Sequence, residues 1–411
     1  MNRRYPSIEV NLTKIRYNME QIVGRCKEAG ISVAGVIKGA NGIPEIAGEF
    51  AAAGCAFIAS SRLEQLENLG NEAKDCPKML IRIPMKSEAD DVVALTQISL
   101  NSDVEVLYAL DAAAGRAGKS HKVILMADLG DLREGFWYLE ELVAAAMEVE
   151  NKMPNLELAG IGTNLGCYGS IEPTQEKMEE LIKKAEIVEQ YIGRRLEYIS
   201  GGATTSLMRV FDGNMPERIN LLRIGEGVLN AYDLPELWKY DCSFLYQDAF
   251  TLKAEVIEMK EKPSYPQGKI GFDAFGNTPE YEDRGFRKRA LAGVGKLDFG
   301  DPDNLIPRLP GAEILGASSD HLILDVQECP ITLRIGAVLE FDVRYPSMLF
   351  ATASAGIRIE CVREDLPPLD AADEVCGNYT DCGTGETSCS SCGSCNSCAS
   401  CAECASHVDK C

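Results

Sequence analysis

Short apolar runs alternate with longer amphipathic stretches along the first half of the chain. The amphipathic stretches repeat their apolar residues every three or four positions, as in 12–23 and 176–191, which is the spacing of a half-buried helix. The apolar runs number eight and lie at 32–37, 56–59, 79–83, 97–101, 122–128, 156–163, 196–200 and 220–224. Strands that alternate with helices pair in parallel through right-handed crossovers. Eight such units in about 200 residues predict an α/β fold, a closed (β/α)8 barrel of the TIM type.

A different pattern begins near residue 234. The apolar runs become short, are separated by Gly, Pro and Asp, and lie at 250–256, 289–294, 312–316, 321–326, 331–335 and 338–343. This pattern of short apolar runs predicts an all-β C-terminal domain. We therefore expect a barrel over 1–233, a β-domain over 234–366 and a tail over 367–411. A doubly wound open sheet is the alternative for the first part, but no Gly-x-Gly-x-x-Gly turn opens a helix there.

The tail has the composition of a low-complexity segment. Nine of the 16 cysteines lie from Cys376 onward, and six of them recur at every third position from Cys389 to Cys404. With almost no core-forming residue, the tail is expected to be disordered unless it is cross-linked or metallated. Dense Cys-x-x-Cys spacing is typical of thiolate ligands for soft metals or iron–sulfur assembly. A soft metal on the tail and an extension without fixed ligands both stay open.

Charge and hydropathy exclude several classes of partner. The formal net charge of −22 argues against nucleic acid and anionic membranes, which need a basic protein face. No apolar run approaches the length of a membrane span. The basic N-terminal start lacks the apolar segment of a signal peptide, so we expect a cytoplasmic protein with reduced thiols.

Candidate chemistry is concentrated where the predicted strands end, which is where barrel enzymes place their active sites. Lys38 ends the first strand, and a lysine amine in a desolvated site forms Schiff bases with carbonyl compounds. Two Gly-containing turns, 200–205 and 223–227, follow the seventh and eighth strands, the usual position of a barrel phosphate site. An amine and a phosphate site together predict a phosphorylated aldehyde cofactor, pyridoxal 5′-phosphate.

Six segments carry a resemblance to a known family, and their order and spacing make it specific. They are Val-Ile-Lys-Gly at 36–39, Asp-Leu-Gly-Asp-Leu-Arg-Glu-Gly at 128–135, Gly-Thr-Asn-Leu-Gly-Cys-Tyr-Gly at 162–169, Ser-Gly-Gly-Ala-Thr at 200–204, Leu-Arg-Ile-Gly-Glu at 222–226 and Gly-Ala-Ser-Ser-Asp-His-Leu at 316–322. The chain resembles the alanine racemase family of barrel-type pyridoxal-phosphate enzymes over residues 5–362, and its ornithine racemase branch most closely.

The resemblance implies a role for each matching residue. Lys38 would bind the cofactor aldehyde, and Arg223 would face its pyridine nitrogen. Because a guanidinium does not give up its proton, that nitrogen would stay unprotonated, which suits proton exchange at Cα better than transamination. Arg133 would orient the cofactor ring oxygen and the substrate carboxylate. The other cofactor-binding positions implied are Asn164, Ser200, Gly202, Thr204 and Gly225.

Three departures from the family pattern favour a substrate other than alanine. The stretch 39–43 lacks the tyrosine that follows the cofactor lysine in alanine racemases, and Met126 stands where their lysine is carbamylated. Lys296 aligns with the tyrosine that serves as their second base. We expect a racemase of ornithine, or of another basic or a broad range of amino acids, built as a homodimer in which each β-domain completes the partner's active site.

Some alternatives stay open. Racemisation needs an acid–base group on each face of Cα, and Tyr168, Cys167 and His321 are the alternatives to Lys296 as the second. A decarboxylase of basic amino acids would use the same fold, although the late cysteine-containing substrate motif of such enzymes is not found here. A metal-handling protein that works through its tail is the non-enzymatic alternative.

Overall fold

The computed structural model describes residues 4–369. In chain order the strands are β1 (Ser7–Asn11), β2 (Ser32–Val36), β3 (Phe57–Ser60), β4 (Lys78–Leu80), β5 (Ile98–Asn101), β6 (His121–Met126), β7 (Leu156–Gly162), β8 (Tyr198–Ser200), β9 (Leu221–Ile224), β10 (Phe250–Pro263), β11 (Phe286–Ala292), β12 (Leu305–Pro307), β13 (Glu313–Ala317), β14 (Leu322–Asp325), β15 (Val338–Val343) and β16 (Arg358–Val362). The helices are α1 (Leu12–Glu28), α2 (Pro44–Ala52), α3 (Leu63–Glu67), α4 (Ala89–Leu95), α5 (Val104–Ala117), α6 (Leu139–Lys152), α7 (Gln175–Ile192), α8 (Leu207–Phe211), α9 (Glu226–Leu229), α10 (Asp233–Trp238), α11 (Lys296–Phe299) and α12 (Tyr345–Ala353). These elements form two compact units, one of residues 11–249 with 361–364 and one of the remaining described residues.

The first unit is a closed parallel barrel. Strands β2 to β9 pair with their neighbours in sequence order, and β9 pairs back with β2, where Ala34 lies opposite Arg223. The predicted (β/α)8 barrel is therefore confirmed, and the open-sheet alternative is wrong. The predicted helix at 176–191 is α7, which begins at the N-cap Thr174 and ends at Gly193 with a positive φ of 72°.

Every second residue of the barrel strands packs into one apolar core. Ala34 and Val36 of β2 lie there beside Leu221 of β9, all of them buried. Alternate residues of a strand point to the same face. Arg223 is two positions beyond Leu221 and shares its face of β9, whereas Lys38 lies just after the last residue of β2, so both cations are at the carboxyl end of the barrel.

The second unit is built on an antiparallel sheet, as predicted for the C-terminal domain. Its strand order is β12-β15-β10-β11-β14-β13, and β1 joins it by pairing with β10 and β16. The N-terminal strand is therefore placed by a long-range register, with Ile8 opposite Leu252. The long strand β10 shifts register between Val256 and Glu258 where it pairs with β11. The domain bounds at 233 and 366 stay a prediction.

The described residues hold seven free cysteines, Cys26, Cys55, Cys76, Cys167, Cys242, Cys329 and Cys361. Within residues 4–369 no group of three or more His, Cys, Asp or Glu side chains is arranged to hold a metal ion. No helix in this range is long and apolar enough to cross a membrane. The predictions for the cysteine-rich tail lie outside the described residues.

Candidate active site at the carboxyl end of the barrel

Lys38 occupies the turn that follows β2. The strand is tied to its neighbour at this point, because the N–H of Ile37 donates to the carbonyl of Ala59 at 2.9 Å. Burial lowers the pKa of the Lys38 amine, and the positive charges of Arg133 and Arg223 lower it further. A lysine with a lowered pKa is neutral in a larger fraction of molecules, and the neutral amine is the form that attacks an aldehyde.

Arg223 is a buried cation that links three strand ends. Its Nη1 donates to the hydroxyl of Ser200 at 2.5 Å, and its Nη2 donates to the carbonyl of Thr163 at 2.7 Å. Thr163 is itself held, because its hydroxyl donates to the carbonyl of Ala127 at 2.9 Å. Burial lowers the pKa of Arg223 to about 10, so the guanidinium stays charged at neutral pH. The arginine is therefore fixed in place, and charged, at the carboxyl end of the barrel.

The turns after β8 and β9 approach each other closely. The N–H of Gly227 donates to the hydroxyl of Thr204 at 3.1 Å, and a Cβ on Gly227 would lie 2.7 Å from Cγ2 of Thr204. Gly202 has a φ of +117°, and a Cβ there would lie 2.5 Å from the Ser206 hydroxyl. A Cβ on Gly225 would lie 3.1 Å from the carbonyl oxygen of Val36. Small residues therefore let backbone N–H groups and a hydroxyl converge, the arrangement that binds phosphate.

Arg133 lies on the loop after β6 and is held by two side chains. Its Nε and Nη2 donate to the two carboxylate oxygens of Glu134, and its Nη1 donates to Sγ of Cys167 at 2.8 Å. The loop after β7 is fastened in turn by the buried Asp131, whose carboxylate accepts the N–H of Cys167 at 3.3 Å and of Tyr168 at 3.0 Å. The two loops thus present Arg133 and Cys167 as a pair.

The structure brings most of the predicted site residues to one end of the barrel. The charges of Arg133, Arg223 and Glu134 all act on the Lys38 amine. Asn164 lies on the loop after β7, and among residues 4–369 its side-chain Nδ2 is buried without a hydrogen-bond partner. A buried donor without a protein partner is a position where a ligand acceptor fits.

The candidates for a second base are distributed between the two units. Lys296 begins α11 in the second unit, and its Nζ lies 4.2 Å from the centre of the Phe275 ring. His321 is an exposed residue of the same unit, in a turn where its N–H donates to the Ser318 hydroxyl at 3.1 Å. Tyr168 lies in the barrel unit beside Cys167. The assignment of the second base to Lys296 stays a prediction.

Sequence reasoning did not single out Glu134 as a site residue. The signal was present, because Glu134 follows Arg133 directly, but an adjacent pair of opposite charges is common on surfaces. Arg82 is a further cation that follows a barrel strand, since it lies shortly after β4. The structure pairs Arg82 with Glu88 through two bonds of 2.7 and 3.0 Å, so that guanidinium is engaged by its own loop.

Known proteins are similar to this chain over most of its length. The sequence profile of the family described as "Alanine racemase, N-terminal domain" matches residues 10–233. The chain is 39% identical to the ornithine racemase of Acetoanaerobium sticklandii over 358 residues, which cover 87% of this chain and 99% of that protein. It is 38% identical to the lysine racemase of Thermotoga maritima over 350 residues, or 85% of this chain and 96% of that protein.

Solved structures share the fold at low sequence identity. An alanine racemase from Streptomyces lavendulae superposes with a TM-score of 0.67 at 15% identity, over 87% of this chain and 97% of that one. A D-threonine aldolase from Filomicrobium marinum superposes with a TM-score of 0.63 at 15% identity, over 85% and 89% of the two chains. Because an isomerase and an aldolase share this fold, the fold alone does not choose the reaction.

Proposed function

This chain belongs to the family of the alanine racemase N-terminal domain and is a pyridoxal-phosphate-dependent amino-acid racemase, and we propose that its substrate is ornithine. The observation that supports ornithine as the substrate is the 39% identity to an ornithine racemase across 99% of that protein. A lysine racemase at 38% identity supports the same class of side chain, one that ends in an ammonium group.

The residues at the barrel end fit the cofactor. Pyridoxal phosphate, when bound, supplies an electron-withdrawing ring that acidifies the Cα–H of an amino acid. Lys38 would bind the aldehyde of the cofactor, and the fixed guanidinium of Arg223 would face the pyridine nitrogen. Thr204, Gly202 and Gly225 would bind the phosphate, since a Cβ on either glycine would collide with Ser206 or Val36, and the Thr204 hydroxyl lies beside the N–H of Gly227.

Three further residues complete the proposed cofactor and substrate contacts. Asn164 offers the buried Nδ2 donor that has no partner within the described range. Ser200 would lie next to the cofactor ring, because its hydroxyl accepts a hydrogen bond from Nη1 of Arg223. Arg133 would bind the substrate carboxylate, and a planar guanidinium suits that planar anion.

Lys38 would also move a proton on one face of Cα. Burial and the neighbouring arginines lower the pKa of its amine, which keeps more of it in the form that accepts a proton. Lys296 would serve the opposite face from the partner's β-domain, which we place at residues 234–366. This division of work requires a homodimer.

Exposed apolar side chains around the barrel end support that homodimer. On the loops after β6 and β7, Leu132, Trp137, Tyr138 and Tyr168 are between 52% and 73% exposed. Large aromatic side chains clustered on one exposed surface are typical of a protein interface.

A cytoplasmic location is also proposed, because the seven cysteines among residues 4–369 are free thiols, which persist in a reducing compartment.

Loss of optical rotation of L-ornithine is the test of function, with L-lysine and L-alanine as comparison substrates. The proposed function predicts the fastest loss with ornithine, together with a visible absorbance that borohydride bleaches. Lys38→Ala should abolish both, whereas Lys86→Ala, at an exposed lysine paired with Glu105, should change neither. A cofactor-loaded protein inert toward ornithine and lysine would refute the proposal. Release of carbon dioxide instead would identify a decarboxylase.

A further inference from the structure

The carboxylate of Glu134 binds one edge of the Arg133 guanidinium. Both of its oxygens accept hydrogen bonds from that guanidinium, one from Nε and one from Nη2. The Glu134 side chain is only 13% exposed, whereas that of Arg133 is 36% exposed. A two-pronged arginine–carboxylate pair fixes the plane of the guanidinium as well as its position. The more exposed partner is therefore held by the more buried one.

Glu134 is also an anion that interacts electrostatically with the cations of the site. The charges of Arg133 and Arg223 oppose protonation of Lys38, while that of Glu134 supports it. The same carboxylate supports the charge of the buried Arg223. Cations in a desolvated site are costly unless an opposite charge lies nearby. Glu134 therefore acts on all three cations that the proposed function uses.

We propose that Glu134 is a positioning residue, which holds the guanidinium of Arg133 in the orientation that receives the substrate carboxylate. The assignment rests on the proposed function. By occupying Nε and Nη2, Glu134 leaves the Nη1 edge of Arg133, beside Cys167, as the edge directed to other partners. Glu134 is not itself a base for Cα, because both of its oxygens are engaged by Arg133.

The variant Glu134→Gln tests this role in the holoenzyme. The amide keeps the size of the side chain but loses its charge and one acceptor, so Arg133 is released from its fixed plane. We expect kcat/KM for ornithine to fall on the order of 10²-fold, the cost of misplacing a substrate by about an ångström. Glu134→Asp retains the charge and should lose less.

Glu88→Gln is the matched control. Glu88 also forms a two-bond pair with an arginine on a loop after a barrel strand, and neither it nor Arg82 has a proposed role in the site. This variant should keep wild-type kcat/KM. A double-mutant cycle with Arg133→Lys shows whether Glu134 works through Arg133. If it does, Glu134→Gln has almost no further effect once Arg133 is changed.

Chemical labelling of the apoenzyme gives a readout that does not depend on activity. Phenylglyoxal should modify Arg133 about tenfold faster in Glu134→Gln, because a charged hydrogen-bond partner has been lost. The rate at Arg133 should be unchanged in Glu88→Gln, as followed by peptide mass spectrometry. Equal labelling of Arg133 in wild type and Glu134→Gln overturns the proposal, as does a kcat/KM within about twofold of wild type. A wild-type protein inert toward ornithine would instead refute the proposed substrate, and the labelling result would still decide the role of Glu134.

Discussion

The guanidinium of Arg223 donates a hydrogen bond of 2.5 Å to the hydroxyl of Ser200, and this bond joins the ends of β9 and β8. A second bond, from Nη2 to the carbonyl of Thr163 at 2.7 Å, extends the connection to the loop after β7. All three residues are buried. The cation proposed to face the cofactor ring is therefore also a cross-link between strands, so its replacement should affect both the stability and the chemistry of the barrel.

Arg223→Met should destabilise the apoprotein by about 2 kcal/mol. The Ser200 hydroxyl and the Thr163 carbonyl would lose their charged donor inside the barrel, a loss that relief of the buried charge offsets only in part. Ser200→Ala leaves the bond to Thr163 in place and should cost about 1 kcal/mol. Urea unfolding followed by circular dichroism measures both variants. An Arg223→Met protein as stable as wild type would show that these hydrogen bonds make no net contribution to the free energy of unfolding.

Thr204→Val should weaken cofactor binding about tenfold, since the Gly227 N–H and the proposed phosphate would both lose a hydroxyl partner. Thr204→Ser retains the hydroxyl and should bind the cofactor nearly as wild type does. The neighbouring Thr205 offers a matched control, because its hydroxyl makes one long bond of 3.4 Å to the carbonyl of Leu165. Fluorescence titration of the apoenzymes with pyridoxal phosphate gives the dissociation constants. Equal weakening in the Thr204 and Thr205 valine variants would contradict the assigned phosphate contact.

Local periodicity was sufficient to predict the barrel and the placement of Lys38. The apolar run 32–37 predicts a buried strand, and a lysine that ends such a strand must lie at the carboxyl end of the barrel. The two small-residue turns were predictable for a similar reason, because they follow the last two strands. These features depend on residues that are close in sequence.

Features that depend on distant residues could not be predicted in this way. No strand was predicted at 7–11, where β1 forms because Ile8 pairs with Leu252 across most of the chain. Likewise, the contact between Arg133 and Cys167 depends on how two loops fold over each other, and Asp131 sets that arrangement through backbone N–H groups. Periodicity carries no information about such contacts.

His121 should make the stability of the fold dependent on pH below neutrality. Burial lowers the pKa of its ring to about 4, and its Nε2 lies 2.9 Å from the Ser99 hydroxyl. The unfolded chain takes up a proton near pH 6.5, whereas the folded protein does so only near pH 4. The contribution of neutral His121 to the free energy of unfolding is therefore intact above about pH 6.5. It is lost as the pH falls toward 4, and the loss amounts to up to about 3 kcal/mol.

The measurement is urea unfolding of wild type and His121→Gln between pH 7 and 4. Because glutamine does not titrate, the variant should lose less stability than wild type over this interval, whatever its stability at pH 7. Parallel pH dependence in the two proteins would show that His121 is protonated as readily in the folded state as in the unfolded chain.

Lys296→Ala should keep the cofactor absorbance and lose racemisation by about 10²–10⁴-fold, the usual cost of removing an acid–base group. Because Lys38 would still exchange the proton on its own face of Cα, the variant should exchange the Cα proton of one ornithine enantiomer with deuterated solvent and leave the other unchanged. Lys288→Ala, at another lysine of the second unit, is the control and should racemise normally. Near wild-type racemisation by Lys296→Ala would reject Lys296 and favour Tyr168, Cys167 or His321.

Mixing two inactive variants tests whether Lys296 acts from the partner subunit. In a homodimer of the proposed kind, one site of a Lys38→Ala/Lys296→Ala heterodimer has both lysines and the other has neither. Unfolding and refolding an equimolar mixture makes half of the dimers heterodimers, so about a quarter of wild-type activity should return. If Lys296 instead served the site of its own chain, every site in the mixture would lack one lysine and no activity would return. Recovery in the mixture, with none in either variant alone, is therefore the result that a shared active site requires.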